Sequence, residues 1–286
     1  MANLKDLRNR ITSVSSTMQI TSAMKMVSAA KLSKAQDAIT AMRPYSEKLT
    51  QLLQDLSATL DDDASSKFSE EREVENVLVV AISSNRGLAG AFNTNIIKAV
   101  RNKAKADYPG KNVEIYTIGK KANDILSRNF SIYKNNNEIY DELTFDNVAE
   151  IAEELMQLFL DERYDKIKIV YNQFKNAATQ IVTEEQFLPI EQFDTEETKQ
   201  LDYIFEPSKI EIVKELIPKS LKMQLYKALR DSFASEHGAR MTAMHKATEN
   251  ATELRDDLKL SYNKARQASI TNEILEIVGG AEALNN

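Results

Sequence analysis

Residues 4–60 read LKDLRNRITSVSSTMQITSAMKMVSAAKLSKAQDAITAMRPYSEKLTQLLQDLSATL. Alternating steps of three and four from Leu4 select seventeen positions: Leu4, Leu7, Ile11, Val14, Met18, Thr21, Lys25, Ser28, Leu32, Ala35, Ile39, Met42, Ser46, Leu49, Leu53, Leu56 and Leu60. Thirteen of them are apolar, so one stripe with a 3.5-residue period persists for eight heptads. A stripe of that period keeps facing a partner helix only if both helices wind into a left-handed coiled coil. No Gly interrupts it, and Pro44 should do no more than kink it. Residues 1–57 are read as one helical arm, about 85 Å long at 1.5 Å per residue.

A second arm occupies residues 209–286. It opens on a capping box, Ser208-Lys209-Ile210-Glu211, in which Ser and Glu satisfy free N–H groups at the helix start. Pro218 suits the first turn of a new helix, and Gly279-Gly280 are read as its stop. Pro218 to Val278 gives about 92 Å of helix. Its later seam is read as Met244, Ala247, Ala251, Leu254, Leu258, Ser261, Ala265, Ala268, Asn272 and Leu275. Leu221, Leu225, Leu229 and Phe233 keep another phase, which places a change of winding near Gly238.

Residues 58–208 between the arms read as an α/β globule. Asn76–Ile82 is nearly continuous in apolar residues, as a strand covered on both faces requires. Asn95 to Lys105 reads as helix, Val113 to Ile118 as a strand, Asp146 as the cap of a helix to about Arg163, and Lys166 to Tyr171 as a third strand. This alternation implies a mostly parallel sheet. Gln180–Leu188 and Leu201–Phe205 are candidate added strands, and the polar stretch Asp61–Glu73 reads as a mobile linker. A globule of this size has a radius of gyration of about 15 Å. The arms are too long to wrap it, and they leave it by opposite chain ends. The predicted fold class is therefore α/β: a long antiparallel coiled coil of N- and C-terminal helices projecting from a small Rossmann-like domain.

Composition closes off several functions. The net charge is −6 over 286 residues, which argues against nucleic acid as a partner. There is no Cys and only two His, so disulfides, thiol chemistry and His-rich metal sites are excluded. Residues 1–5 lack the apolar stretch of a signal peptide, and no run approaches the ~18 apolar residues of a membrane span. The reading is a soluble chain able to dock on a membrane complex through protein contacts. Charge is unevenly divided: the first arm carries 8 basic and 4 acidic residues, the globule 17 and 28, the second arm 12 and 11. A basic arm suits an acidic partner, although a solvated helix face accounts for the same charges.

Few residues are arranged for chemistry. Ser83-Ser84-Asn85-Arg86-Gly87-Leu88-Ala89-Gly90 lies between a strand and a helix, where a phosphate loop would sit. It matches neither the Walker pattern nor G-x-G-x-x-G. Glycines shaping a turn are the better reading, and Arg86, Gly87 and Gly90 are taken as turn residues. His237 and His245 fall eight residues apart without further ligands. Lys25 on the seam and Arg240 at the winding slip stand out, since a cation on a coiled-coil seam is costly unless it snorkels or meets a partner. Eight of nine Met lie in the arms, which suits a surface that repacks.

Three stretches carry a family resemblance: Ile20-Thr21-Ser22-Ala23-Met24-Lys25-Met26-Val27-Ser28-Ala29-Ala30-Lys31-Leu32, Ser84–Gly90 with Asn93, and the C-terminal run from Ser235-Glu236-His237 through Arg240-Met241-Thr242-Ala243-Met244 and Ala265-Arg266-Gln267-Ala268-Ser269-Ile270-Thr271 to Gly279-Gly280-Ala281. With these, the sequence resembles the γ subunit of bacterial F-type ATP synthase over essentially its whole length. Gly238 departs from the Ala more usual in that family. The resemblance implies a non-catalytic rotor shaft with no cofactor. Its coiled coil would thread the α3β3 hexamer, and its globular foot would sit on the c-ring of Fo beside ε. Proton-driven rotation would cycle the three β sites and couple ion flow to ATP synthesis. By the same resemblance Met24 and Lys25 face the acidic lever of β. Arg240, Arg266, Gln267 and Thr271 contact β and α loops, and Tyr203, Phe205 and Glu206 meet the c-ring and ε. The implied place is the cytoplasmic face of the bacterial inner membrane, as a peripheral subunit without direct lipid insertion. The residues alone leave two other readings: a coiled-coil adaptor that self-associates, and a small α/β enzyme using the Ser84–Gly90 loop.

Overall fold

The computed structural model describes residues 4–57, 67–190 and 209–284. Strand 201–205, Ser208 of the capping box, and Tyr203, Phe205 and Glu206 lie outside them. In chain order the elements are α1 (Leu4–Ser57), β1 (Asn76–Ile82), α2 (Phe92–Ala106), β2 (Asn112–Ile118), α3 (Lys120–Leu126), β3 (Ser131–Asn136), α4 (Phe145–Leu160), β4 (Lys166–Phe174), β5 (Gln180–Leu188) and α5 (Lys209–Leu284). Short 3-10 turns occur at Lys67–Ser69 and Glu138–Tyr140. The chain divides into two compact units: Met1–Ser28 with Met241–Asn286, and Ala29–Arg240.

The larger unit is built on a five-stranded sheet of order β3-β2-β1-β4-β5. β1 pairs in parallel with β2 and β4, β2 pairs in parallel with β3, and β4 pairs antiparallel with β5. The run 77–82 of β1 is buried on both faces, as its unbroken apolar sequence requires. Its side chains alternate: Val77, Val79 and Ala81 pack with Ile96, Val100, Ala122 and Leu126 of α2 and α3. Leu78, Val80 and Ile82 pack with Ile151, Leu155 and Phe159 of α4 and with Leu221, Leu225 and Leu229 of α5. The 209–240 portion of α5 is thus part of the core that covers the sheet, beside α4. From α1, Met42 and Leu49 pack on Met223.

Several local expectations change. The cap of α4 is Thr144, whose Oγ1 accepts from Asn147 N at 3.3 Å, while Asp146 sits inside the first turn. Here Asp146 serves the helix dipole instead of the cap. The stretch to Glu73 is not wholly a linker, because Phe68 packs against the core and the Arg72 guanidinium donates to Phe159 O at 3.1 Å. α3 and β3 were not anticipated. α5 is one helix of 76 residues that continues through Pro218, Gly238 and Gly279-Gly280. Within it residue 238 is α-helical like its neighbours. Gly238 has a different reason: a Cβ there would approach the Ala177 backbone at the β4–β5 turn to 3.2 Å.

In the smaller unit α1 and α5 run antiparallel. Arg8 bonds Tyr262, Thr21 bonds Thr248, and Lys25 bonds His245, so partners fall in one helix as they rise in the other. All fourteen α1 seam positions from Leu4 to Leu49 are buried or half-buried. On α5, Met244, Ala247 and Ala251 are inward as read, with Thr248 beside them. Further along, the seam shifts by one residue at three positions: Arg255, Tyr262 and Ser269 turn inward where Leu254, Ser261 and Ala268 are exposed, while Leu258 and Ala265 keep their places. Leu254 is 51% exposed and Leu275 is 63% exposed. The packed phase departs from the most apolar one at Leu254, Ser261 and Ala268. Polar partners on α1 (Arg8, Thr21 and the Met18 sulfur, which takes Arg255 at 3.4 Å) hold Tyr262, Thr248 and Arg255 at the seam.

Candidate functional site

Ser83–Gly90 leaves the carboxyl end of β1, next to the point where β2 departs on one side and β4 on the other. In open α/β sheets that crevice is where ligands bind. Here the turn is anchored from every direction. Ser83 N donates to Ile118 O at 2.8 Å, and Tyr140 Oη donates to Ser83 O at 2.8 Å. Asn93 Oδ1 accepts from Ser84 N at 3.0 Å, while Ser84 Oγ donates to Arg86 O at 2.6 Å. Asn85 bridges to Asn137 O and to Lys120 N. Gly119 closes the adjoining turn at φ +103°, where a Cβ would stand 2.2 Å from Ser83 O. Only Gly fits that position.

The crevice is filled by α5. Arg240 is 7% exposed and forms an ion pair with Glu236, Nη1 to Oε1 2.7 Å. Its Nη2 donates to the carbonyl oxygens of Arg86 at 3.2 Å and Gly87 at 3.4 Å. A phosphate site needs N–H groups converging on an anion. Here carbonyls converge on a guanidinium, the opposite polarity. Beside it Ala89, Phe92 and Ala239 form a small apolar cluster. His237 lies one turn back, with Nδ1 3.5 Å from Arg240 Nη1 and its ring edge-on to Phe233. Burial, reinforced by the Arg240 and Lys31 charges, pulls its pKa down to about 3. The imidazole is therefore neutral, as close approach to Arg240 demands. Burial pushes the Glu236 carboxyl up, against the pull of Arg240. Burial, with the Glu236 charge, also holds the Tyr140 hydroxyl well above its usual value.

The remaining candidates fall in the smaller unit or on the turn. Met24 and Lys25 are half-buried, and Lys25 Nζ lies 3.2 Å from His245 Nδ1. Arg266, Gln267 and Thr271 are exposed, and Thr271 Oγ1 donates only back to its own helix, to Gln267 O at 3.0 Å. From residue 270 to 281 every residue is exposed, Ile270, Ile274, Ile277 and Val278 among them. Arg86, Gly87 and Gly90 lie together on the turn, with Gly90 at φ 57° and Leu88, 66% exposed, at φ 63°. Among the described residues no group of three or more His, Asp or Glu could hold a metal ion.

A family model described as ATP synthase matches residues 3–284. The ATP synthase gamma chain of Christiangramia forsetii is 86% identical over 285 residues, covering 100% of both chains. The chain belongs to the ATP synthase gamma-chain family. The gamma chain of Flavobacterium psychrophilum is 70% identical, with 99% of each covered. The fold is also that of a chain in the F1/c-ring portion of the Euglena gracilis mitochondrial ATP synthase, with TM-score 0.70 at 23% identity, covering 98% of this chain and 94% of that one. A gamma chain is a non-catalytic subunit of its complex, and the filled crevice agrees with that. Sequence reading located the turn but missed what occupies it. Arg240 is 154 residues from Arg86, and no local pattern announces the contact. Glu236 and Arg240 at spacing i, i+4 were the available signal. No helix of the described residues is long and apolar enough to cross a membrane.

Proposed function

We propose that the chain is the central-stalk shaft of F-type ATP synthase, turning inside the α3β3 hexamer and coupling rotation of the c-ring to ATP synthesis. The observation that carries it is the antiparallel pairing of α1 and α5 in the smaller unit, in a family member matched over residues 3–284. Long helices joined along a seam transmit twist.

In this reading residues 1–57 and 209–286 form the shaft, and 58–208 form the foot that meets the c-ring and ε. Met24 and Lys25 face the acidic lever of β, with Lys25 Nζ 3.2 Å from His245 Nδ1. Arg266, Gln267 and Thr271, exposed on α5, meet α and β loops. Tyr203, Phe205 and Glu206 serve the foot. The complex sits on the cytoplasmic face of the bacterial inner membrane, and this chain touches the bilayer only through its partners.

Co-expression with the α and β subunits of the same organism tests the reading. A stable complex of α3β3γ size on size-exclusion chromatography, with ATPase activity lowered by Lys25→Ala, is the expected result. A chain that elutes alone and leaves ATPase unchanged refutes it.

A further inference from the structure

We propose that Arg240 is a positioning residue whose guanidinium, held by Glu236, latches the 84–90 turn onto α5 and so fixes the tip that carries Arg86 and Leu88. This rests on the shaft reading only for the purpose the tip serves, not for the latch itself.

Three observations support the latch. First, Arg240 is 7% exposed and its guanidinium is engaged by Glu236, His237, and the carbonyls of Arg86 and Gly87. A side chain so placed has little surface left for another subunit. Second, the turn holds backbone strain that its restraints must maintain. Leu88 stands in the left-handed region at φ 63° and is 66% exposed, so packing of its own side chain does not hold it there. Left-handed non-Gly residues persist where surroundings over-determine them. Arg86 O accepts from Ser84 Oγ at 2.6 Å inside the turn and from Arg240 outside it. Third, the geometry requires Arg. One Nη addresses the carboxylate while the other addresses two carbonyls, a planar fork that a Lys ammonium cannot reproduce.

The latch has a direction. Glu236 and Arg240 both project from α5, whereas the turn belongs to the sheet. The exposed Arg86 and Leu88 are therefore presented by a loop whose conformation is set from the helix. Arg240 acts on any partner through the turn, not by touching it.

Amide hydrogen exchange of the peptide spanning 84–91, read by mass spectrometry in the purified α3β3γ complex, tests this with Arg240→Lys, Glu236→Gln and the double variant. Hydrogen bonds to charged groups support an increase in turn exchange of about tenfold or more in each single variant. The double variant should add nothing further, since both changes remove one device. ATP turnover should fall in parallel with the exchange. Unchanged turn exchange in both single variants, or single effects that add in the double, overturns the latch. Lost turnover with an unchanged turn would assign Arg240 to a direct partner contact instead. If the wild-type chain forms no complex, the shaft reading fails, and the same exchange comparison on the purified full chain still decides the latch.

Discussion

At the scale of single residues, the buried His237 beside the turn links stability to pH. His237 has its pKa lowered from 6.5 to about 3, first by burial and then by Arg240 and Lys31. A depressed histidine favours the fold while it is neutral. Its contribution is complete above about pH 6.5 and is lost as pH falls from there toward 3, at a slope approaching about 1.4 kcal/mol per pH unit. Unfolding of the full chain by urea, repeated from pH 8 to pH 4, should show wild type losing stability more steeply below pH 6.5 than His237→Gln. Equal slopes in the two chains would remove His237 from the account. Neutral His237 also explains how Arg240 tolerates it at 3.5 Å, since a second cation there would oppose the guanidinium. Gly119 acts at the same scale through shape alone. At φ +103°, with Ser83 O 2.2 Å from any Cβ, it lets the ends of β1 and β2 cross closely enough to seat the turn.

At the scale of elements, what the sequence made legible depended on how long a pattern ran. The α1 seam persists for eight heptads in sequence, and every position chosen from it between Leu4 and Leu49 is buried or half-buried. β1 and α4 carried strong apolar signals and were found within a few residues. α3 has only seven residues and β3 reads SIYKNN, too short and too polar to stand out from the loops around them. Their structure comes from neighbours: β2 supplies the ladder for β3, and Ser83 Oγ accepts from the α3 amide of Ala122. The α5 seam shows why an apolar count misleads. Leu254 scored above Arg255, but Arg255 is the residue turned toward α1. Substitution should separate the two phases. Leu254→Ala, 51% exposed and inward only in the apolar phase, should cost no more than about 0.5 kcal/mol, against about 2–4 kcal/mol for Met244→Ala, 4% exposed and common to both phases. Chemical denaturation of the two variants checks this, and a larger loss for Leu254 would restore the apolar phase. The 83–90 turn was readable as a place but not in its contacts. Its position after β1 follows from local sequence, whereas its closure by Arg240 depends on a contact across most of the chain.

At the scale of the whole molecule, charge and winding govern how the chain meets others. The first 57 residues carry 8 basic and 4 acidic side chains, while residues 58–208 carry 17 and 28. A basic helix approaching an acidic partner is guided by long-range attraction that salt screens, with the Debye length falling from about 30 Å at 0.01 M to about 8 Å at 0.15 M. Assembly of the chain with its α and β partners, followed by stopped-flow light scattering, should slow about tenfold across that range. A rate indifferent to salt would show that the basic arm plays no part in the encounter. The winding has a further consequence. The seam of α1 returns every 3.5 residues, short of the 3.6 of a straight helix, and its rope is therefore left-handed. Such a rope is chiral in its mechanics: wringing it one way tightens the lay and presses the strands together, and wringing it the other way slackens the lay and eases them apart. Equal torques of opposite sense thus meet different stiffness, and a motor that runs both as generator and as pump works against two unequal springs within one shaft.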